Sequence, residues 1–298
     1  MKSIFIFLVL SLISLSPAHS KIEDTKNIIF QNPDSLVLEE KLAKADWEIK
    51  KISDEIIWKY KHFHNLFNSI QSISILEIDI KQRSVGVTLD YAKTGFQKTS
   101  DVGERIGAIA AVNGSFFNTK TGGSNVFFKK RSKVIEFTYS GFTPYRENAG
   151  LAINALGEIN ILSKPPEGWE SLEAYSDILT SGPLLLQDKK LLKQIDEPFN
   201  TNKHPRTAVG LTADGRLLAV IVDGRNPQAH GMTIQELAHF MQALGCVEAM
   251  NLDGGGSSTA WIKNHGVVNY PSDNKLFDHE GEREVVTVIG FITRPAPK

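Results

Sequence analysis

Apolar and polar residues alternate along much of the first half of the chain. Residues 56–63 and 72–80 alternate with a period of two, and the short polar stretch 81–84 leads from the second run to residues 85–89. This period is typical of half-buried strands, since successive side chains of a strand point to opposite faces of its sheet. The pattern therefore predicts antiparallel sheet in this part of the chain.

Further hairpins are predicted where two apolar runs flank a short polar turn. The paired runs span residues 151–161, 184–192 and 207–222, with turns at 156–157, 187–190 and 213–215. Residues 108–112 are apolar without alternation, which predicts a central strand that is buried on both faces. Residues 100–107 suit a short helix before that strand.

The clearest helical pattern begins at Thr233. Thr233 and Glu236 have the spacing of a capping box, in which each side chain satisfies a free backbone amide of the other residue. The apolar residues that follow recur at the spacing of one helix face, at Ile234, Leu237, Ala238, Met241 and Leu244. Gly245 is the predicted end of the helix, because glycine readily adopts the left-handed conformation that follows a last turn.

This helix lies between two predicted strands, residues 216–223 and 247–252. A strand, a helix and a strand in this order form a βαβ-like unit. If the two strands are parallel, Asp223 and Asp253 emerge at the same edge of the sheet. The predicted fold class is α+β, with a mixed, mainly antiparallel sheet, one βαβ-like unit and packed helices in a single domain.

The start of the chain has the layout of a secretory signal. A lysine precedes the apolar residues 4–15, and small or polar residues follow up to Ser20. We expect cleavage near Ser20 and a secreted or periplasmic chain without stable membrane insertion, because a bilayer span needs about 20 apolar residues. After the signal at residues 1–20, we predict a helical extension over residues 21–53 and the main domain over residues 54–298.

The composition narrows the class of protein. With 41% hydrophobic and 22% charged residues, the chain can build an ordinary globular core. Its formal net charge of −1 gives no electrostatic reason to expect nucleic acid as a partner. Cys246 is the only cysteine, so no intrachain disulfide is expected, and its apolar neighbours predict a buried thiol.

Asp253 is followed by three successive glycines, Gly254, Gly255 and Gly256. Each glycine inside a regular element costs about 0.5–1 kcal/mol relative to alanine, so three together indicate a loop that needs unusual backbone or a close approach. The glycine amides and the Ser257 hydroxyl could donate to an anionic oxygen. A tight Asp-Gly turn between two strands is the alternative interpretation. The pattern is not that of a nucleotide-binding loop, since neither GxGxxG nor GxxxxGK occurs.

Polar residues beside glycine or proline follow other apolar strands as well. These clusters are Asn113-Gly114-Ser115, Ser181-Gly182-Pro183, His204-Pro205-Arg206-Thr207 and Asp223-Gly224-Arg225. Loops at several strand ends commonly build one cleft. We therefore expect the four clusters to converge with Asp253.

Together these motifs resemble the phosphodiester glycosidase family. The matching segments are residues 111–117, 181–183, 204–210 and 251–259, with Arg283 and Val285 near the end. The resemblance covers roughly residues 72–292, and it implies a phosphodiester glycosidase-like catalytic domain. It also implies hydrolysis of a sugar-1-phosphodiester at the glycosidic bond. The identity of the sugar does not follow from the resemblance; N-acetylglucosamine-1-phosphodiester and related envelope or capsule glycans are the candidate substrates.

Such a reaction needs a carboxylate near the anomeric carbon and donors around the phosphate. Because phosphate is already a good leaving group, a base or nucleophile and anion stabilisation matter more than protonation. Asp253 is the first candidate for the carboxylate and Asp223 the second. His230 and His204 are candidates for proton transfer, although each is also explained as a surface or packing histidine.

The remaining candidates are substrate ligands. Arg206 and Arg225 are expected on the phosphate, because a guanidinium group binds phosphate through paired donors; a salt bridge at a strand start is the alternative for Arg206. Asn113 is expected either to bond a sugar hydroxyl or to orient Asp253. The other predicted substrate-binding residues are Ser115, Thr207, Gly254, Gly255, Gly256, Ser257 and Arg283.

Two other functions would use the same loops. One is a non-catalytic protein that binds phosphorylated glycans during exopolysaccharide assembly. The other is a metal-assisted phosphodiesterase with Asp223 and Asp253 as paired oxygen ligands. Neither His-x-x-x-His nor Asp-x-Asp-x-Asp spacing occurs, so we predict no metal and no other cofactor.

Overall fold

The computed structural model describes residues 33–82 and 84–294, which lie in one compact unit. Its strands are β1 Glu48–Lys51, β2 Ile56–Leu66, β3 Ser69–Asp79, β4 Val85–Tyr91, β5 Ala110–Asn113, β6 Phe128–Lys130, β7 Lys133–Glu136, β8 Ala149–Asn154, β9 Ile159–Ser163, β10 Tyr175–Ser181, β11 Leu184–Gln187, β12 Lys190–Leu191, β13 Arg206–Thr212, β14 Arg216–Val222, β15 Cys246–Asn251, β16 Ala260–Ile262, β17 Gly266–Val267 and β18 Thr287–Thr293. Its α-helices are α1 Pro33–Ala43, α2 Thr99–Arg105, α3 Pro198–Thr201 and α4 Ile234–Ala243.

These strands form three sheets within the described residues. The largest has the order β1-β2-β3-β14-β13-β15-β11-β12, and the two smaller ones have the orders β7-β6-β10-β8-β9 and β17-β16-β5-β18-β4. Every strand pair in this part of the chain is antiparallel. The sheet-rich fold is confirmed, but the mixed sheet is corrected to antiparallel sheets.

The βαβ-like unit is present in a modified form. Strands β14 and β15 run in the same direction, because both pair antiparallel with β13, which lies between them. Helix α4 connects them and buries Leu237, Phe240 and Met241 against the largest sheet. Both strands therefore end at the same edge of that sheet, and Asp223 and Asp253 follow them there.

The capping box at the start of α4 is confirmed. The Thr233 hydroxyl accepts a hydrogen bond from the Glu236 amide at 3.1 Å, and the Glu236 carboxylate accepts one from the Thr233 amide at 2.8 Å. Gly245 follows the last turn with a φ of +85°. Cys246 is buried, as its apolar neighbours predict.

The segment before residue 54 is only partly helical. Helix α1 is confirmed, and Leu38 and Leu42 pack into the same core as α4. Residues 48–51, predicted as helix, instead form β1 at the edge of the largest sheet, where all four residues are exposed and show no apolar alternation. The predicted signal and residues 21–32 lie outside the described residues. No described helix is long and apolar enough to cross a bilayer.

Candidate active site

The predicted site loops meet because of strand register. Arg206, at the start of β13, lies opposite Val222 at the end of β14, and Ala208 lies opposite Asn251 at the end of β15. The chain therefore enters β13 where it leaves β14 and β15. The end of β5 joins this edge through the Asp253 amide, which donates to the Gly114 carbonyl at 3.1 Å.

Asn113 connects these loops through its side chain. Its Oδ1 accepts hydrogen bonds from the Thr207 hydroxyl at 2.8 Å and the Thr259 amide at 3.1 Å, and its Nδ2 donates to the Asp253 carbonyl at 2.7 Å. The residue is fully buried. Of its two predicted roles, the geometry supports the orientation of Asp253 and leaves no open face for a sugar hydroxyl.

Two other predicted substrate ligands belong to the scaffold. Thr207 is buried and donates its hydroxyl proton to Asn113. Ser115 is also buried, and its hydroxyl donates to the Thr180 carbonyl. The substrate contacts expected of both residues are corrected, because both hydroxyl groups are enclosed and used within the protein.

Close approach of charged side chains explains the glycine run. A Cβ atom at Gly255, where φ is +64°, would lie 3.0 Å from both terminal nitrogens of Arg225. A Cβ atom at Gly256 would lie 1.8 Å from Asp273 Oδ1 and 2.5 Å from Arg283 Nη2. The backbone here therefore carries no side chains, which leaves room for Arg225 and for the Asp273–Arg283 ion pair to lie against it.

The glycine amides are not all available to a ligand. The Gly254 amide donates to Asp253 Oδ1 at 3.0 Å, and the Gly255 amide donates to the Pro205 carbonyl at 2.9 Å. The expected anion contacts of these two amides are corrected, because each is already used. The Gly256 amide makes no hydrogen bond within the described residues.

Asp253 is half-buried at the centre of these contacts. Burial raises the pKa of its carboxyl to about 6, against the opposing effects of the Ser257 hydroxyl, the Arg283 charge, the Gly254 amide and the Arg146 charge. The Ser257 hydroxyl lies beside this carboxyl without a hydrogen bond of normal geometry. Asp253 is therefore largely ionised at neutral pH and faces positive charge.

Asp223 has different surroundings, although burial also raises its pKa to about 6. Its Oδ2 accepts a hydrogen bond from the Ser72 hydroxyl at 2.6 Å. Its Oδ1 accepts from Asn269 Nδ2 and the Tyr270 amide, both at 2.9 Å. It thus fastens the segment after β17 to the largest sheet. The predicted catalytic role is corrected to a structural one, because both oxygens are occupied and the residue is fully enclosed.

The described residues contain no group of three histidine, cysteine, aspartate or glutamate side chains placed to hold a metal ion. Asp223 in particular has its oxygens directed to protein donors.

The two histidines differ in their placement. His230 is exposed, and its Nδ1 shares a 2.8 Å hydrogen bond with the Ser69 hydroxyl. The structure shows no contact between His230 and either candidate carboxylate, so its predicted proton transfer has no geometric support. His204 is half-buried, and burial followed by the charges of three arginines lowers its pKa to about 4. His204 is therefore neutral near pH 7.

Arg206 is corrected from a phosphate ligand to a structural residue. The residue is 1% exposed; Nε donates to the Met232 carbonyl at 2.8 Å, and Nη2 donates to the Phe199 and Asn202 carbonyls at 2.7 and 3.0 Å. The paired donors that would grip a phosphate are therefore used by the backbone. Arg206 forms no salt bridge with any described residue, so the alternative interpretation is not supported either.

Arg225 and Arg283 do lie at the glycine loop. Arg225 is exposed, has a φ of +60°, and makes no hydrogen bond or ion pair within the described residues. Arg283 donates Nε and Nη2 to the two carboxylate oxygens of Asp273 at 2.7 and 2.6 Å. Arg225 is thus the open cation, whereas Arg283 is already paired.

Arg146 belongs to the site, although no sequence motif identifies it. It lies on the 3₁₀ turn 144–147, and its guanidinium carbon stands 3.8 Å from the ring centre of Phe199. Its Nε is buried without a hydrogen-bond partner. The turn is seated by Gly182, where a Cβ atom would lie 2.6 Å from the Tyr145 carbonyl. The Ser-Gly-Pro motif was therefore the indirect signal for this arginine.

Several buried polar groups around the loop lack partners. Among the described residues, unpartnered side-chain atoms in this region are Ser181 Oγ, Asn251 Oδ1, Ser257 Oγ, Ser258 Oγ and Thr259 Oγ1. Native proteins leave few such groups unpaired, because each costs about 1–3 kcal/mol. Their concentration beside Asp253 indicates a place where a polar ligand binds.

One cavity reaches the glycine loop through Asp273 and Arg283, and a second adjoins the first. The first, of about 520 Å³, is lined by Phe96, Phe117, Thr119, Asp273, Glu282, Arg283 and Glu284. The second, of about 410 Å³, shares Phe117 and Thr119 with the first and extends to Tyr139, Phe142 and Thr143. Each is within the size range of small-molecule sites.

The chain is similar to known proteins in sequence and in fold. Residues 106–292 match the family described as phosphodiester glycosidase. The chain is 28% identical over 178 residues to the N-acetylglucosamine-1-phosphodiester alpha-N-acetylglucosaminidase of Bos taurus, which covers 56% of this chain and 33% of that protein. The Homo sapiens protein of the same name is 27% identical over 175 residues, covering 55% and 33%. The chain thus spans about a third of the length of these relatives.

Solved structures share the fold. The zebrafish N-acetylglucosamine-1-phosphodiester alpha-N-acetylglucosaminidase catalytic domain, auto-inhibited by its pro-peptide, superposes with a TM-score of 0.65 at 22% identity, covering 84% of this chain and 88% of that one. A hypothetical protein from Synechocystis superposes with a TM-score of 0.64 at 14% identity, covering 84% and 64%. At these identities the similarity concerns the fold alone.

Proposed function

The chain belongs to the phosphodiester glycosidase family, and on this basis we propose that it is a hydrolase that breaks the glycosidic bond of a sugar-1-phosphodiester. The proposed substrates are N-acetylglucosamine-1-phosphodiesters or related phosphorylated envelope and capsule glycans, a class supported by the names of the bovine and human relatives. The secretory pattern of residues 1–20 supports action outside the cytoplasm.

One observation carries this proposal, namely a single carboxyl placed among cations. Asp253 is ionised near neutral pH, and Arg283 and Arg146 are the charges that act on it. Arg225 lies against Gly255, which follows Asp253 by two residues in the chain. A carboxylate can serve the anomeric carbon, while guanidinium groups bind phosphate oxygens through paired donors.

In the proposed reaction, the bond between the anomeric carbon and the phosphate oxygen breaks, and its electron pair leaves with the phosphate. Asp253 acts on the sugar side, either as nucleophile or as the base that activates water. Arg146 and Arg225 stabilise the negative charge of the departing phosphate. A neutral His204 suits this scheme, because a phosphate leaving group needs little help from an acid.

The metal-assisted alternative has less support, since its second carboxylate, Asp223, already accepts three hydrogen bonds. Asn113 instead holds the loop that presents Asp253, and Asp223 holds the segment after β17.

The proposal is tested with a panel of sugar-1-phosphodiesters and identification of the products. The wild-type protein should release sugar, and Asp253→Asn should remain folded but lose about 10²–10⁴-fold in turnover, the range typical of acid–base groups. Asp101→Asn, an exposed aspartate on α2, is the matched control and should retain activity. Binding of a diester without release of sugar by the wild-type protein would instead identify a glycan-binding protein.

A further inference from the structure

Phe199 lies between two arginines, of which one is buried and structural and the other is half-buried at the site. The residue sits on the short helix α3, and both guanidinium groups stand over its ring, that of Arg146 at 3.8 Å and that of Arg206 at 4.9 Å from the ring centre. Arg206 is enclosed, whereas Arg146 is half-buried and its charge acts on Asp253. The ring therefore contacts both the structural arginine, Arg206, and the arginine of the site, Arg146.

Arg206 fixes the segment that carries this ring. Two of its three hydrogen bonds go to the carbonyl groups of Phe199, within α3, and Asn202, just beyond it, and the third goes to the Met232 carbonyl. A helix of four residues has little stability of its own. The buried guanidinium group thus holds the α3 backbone against the loop before α4.

Arg146 depends on the ring for its position. Its guanidinium makes no hydrogen bond or ion pair with any part of the chain that the structure describes, and its Nε is buried without a partner. Its neighbours are instead aromatic, with Phe199 at 3.8 Å, Phe116 at 5.8 Å and Tyr145 at 5.9 Å. Cation–π attraction to the nearest ring is therefore the main contact that orients this cation.

We propose that Phe199, held by Arg206, is a positioning residue that sets Arg146 to receive a phosphate oxygen of the substrate. The proposal rests on the proposed function, since it takes the ligand of Arg146 to be the substrate phosphate. A guanidinium group that is already oriented loses less conformational freedom on binding, and binding is tighter for that reason. The unpartnered Nε supplies one of the donors that the phosphate would satisfy.

Substitutions at Phe199 distinguish the effect of the aromatic face from the effect of side-chain size. Phe199→Leu keeps an apolar side chain but removes the aromatic face, and we expect it to weaken the binding of inorganic phosphate by about 3- to 20-fold. Phe199→Tyr keeps the face and should restore binding to within about twofold of wild type. Phe63→Leu is the matched control, because Phe63 is a buried aromatic residue that packs on the Trp47 ring, with 5.5 Å between ring centres, and lies over neither arginine.

The phosphate affinity is measured by calorimetry on the full mature chain, with kcat and KM for a sugar-1-phosphodiester beside it. Phe199→Leu should raise KM more than it lowers kcat, and melting curves show whether the variants are folded. Arg206→Lys, which cannot make all three carbonyl contacts in the same geometry, should weaken phosphate binding in the same direction and also lower the melting temperature.

A double-mutant cycle with Arg146→Ala decides whether Phe199 acts through Arg146. Phe199→Leu should cost little further affinity, less than about twofold, once Arg146 is absent. An equal loss with and without Arg146 would overturn the inference, as would normal phosphate binding by folded Phe199→Leu while Arg146→Ala binds poorly. If Arg146→Ala changes neither phosphate binding nor turnover, the phosphate role in the proposed function fails as well.

Discussion

At the residue scale, Asp223 and Asp253 show how one residue type serves two purposes at one sheet edge. Burial raises the pKa of both carboxyl groups to about 6. Asp223 has both oxygens occupied by donors, whereas Asp253 accepts one backbone amide and faces cations and unpartnered hydroxyl groups. A raised pKa alone therefore does not identify a reactive carboxyl; the two residues differ in whether their oxygens remain free for a substrate.

The pH dependence of activity follows from the pKa of Asp253. If its carboxylate is the nucleophile or base, kcat/KM should rise with pH, reach half its maximum near pH 6 and then level off. A pH–rate profile on a sugar-1-phosphodiester measures this. A profile that falls above pH 6 would show that the protonated carboxyl is the active form.

The same carboxyl should also affect stability. Because its folded pKa lies above the unfolded value of about 3.9, the folded state holds the proton more tightly. The stability contributed by this group is full below about pH 4 and is lost as the pH rises through 6. The side chain of the Asp253→Asn variant cannot lose a proton. The free energy of unfolding of the variant minus that of wild type should therefore be larger at pH 8 than at pH 4. Denaturant unfolding at both pH values tests this, and a difference that is independent of pH would contradict it.

At the element scale, strand ends and short turns deliver the site. Alternation and turn patterns predict the hairpins around β2, β3, β8, β9, β13 and β14, and the capping box predicts α4. They do not predict β10 or β18. Strand β18 pairs with β4 and β5 from far earlier in the chain, and local patterns carry no information about such distant partners. Yet the end of β10 seats the turn that carries Arg146.

The capping box of α4 offers a test of this element. Thr233→Ala removes the hydroxyl that accepts the Glu236 amide, so the free energy of unfolding should fall by about 0.5–2 kcal/mol. The box adjoins Met232, whose carbonyl accepts a hydrogen bond from Arg206 Nε, but neither Thr233 nor Glu236 makes a hydrogen bond to Asp253 or Arg146 among the described residues. The values of kcat and KM of the folded variant should therefore remain close to wild type. A large loss of activity without a loss of stability would show that α4 takes a direct part in the site.

The glycine loop offers a second test. In Gly256→Ala, the added methyl group would meet Asp273 and Arg283 at less than 3 Å. Those atoms are the ends of flexible side chains, so we expect the ion pair to move, the melting temperature to change little and kcat/KM to fall. Unchanged kinetics in a folded variant would show that the position of this ion pair does not matter for the reaction.

At the scale of the whole molecule, the site assembles residues that are scattered from the end of β5 to the segment before β18. The convergence of the polar clusters could be predicted, because all of them follow or precede apolar strands. The different roles of the arginines could not be predicted from the sequence. Arg206 becomes structural only because residues 199–202 and 232 enclose it, and Arg146 becomes a site cation only because Gly182 lets its turn approach.

Hydrolysis of a sugar-1-phosphodiester in ¹⁸O-labelled water tests the central claim most directly, since the label marks the atom that water attacks. Cleavage between the anomeric carbon and oxygen leaves the original oxygen on the phosphate. The proposed reaction, with Asp253 on the sugar side and Arg146 and Arg225 on the phosphate side, predicts a phosphate product without label. Mass spectrometry of that product gives the answer, and ¹⁸O in the phosphate would contradict glycosidic cleavage.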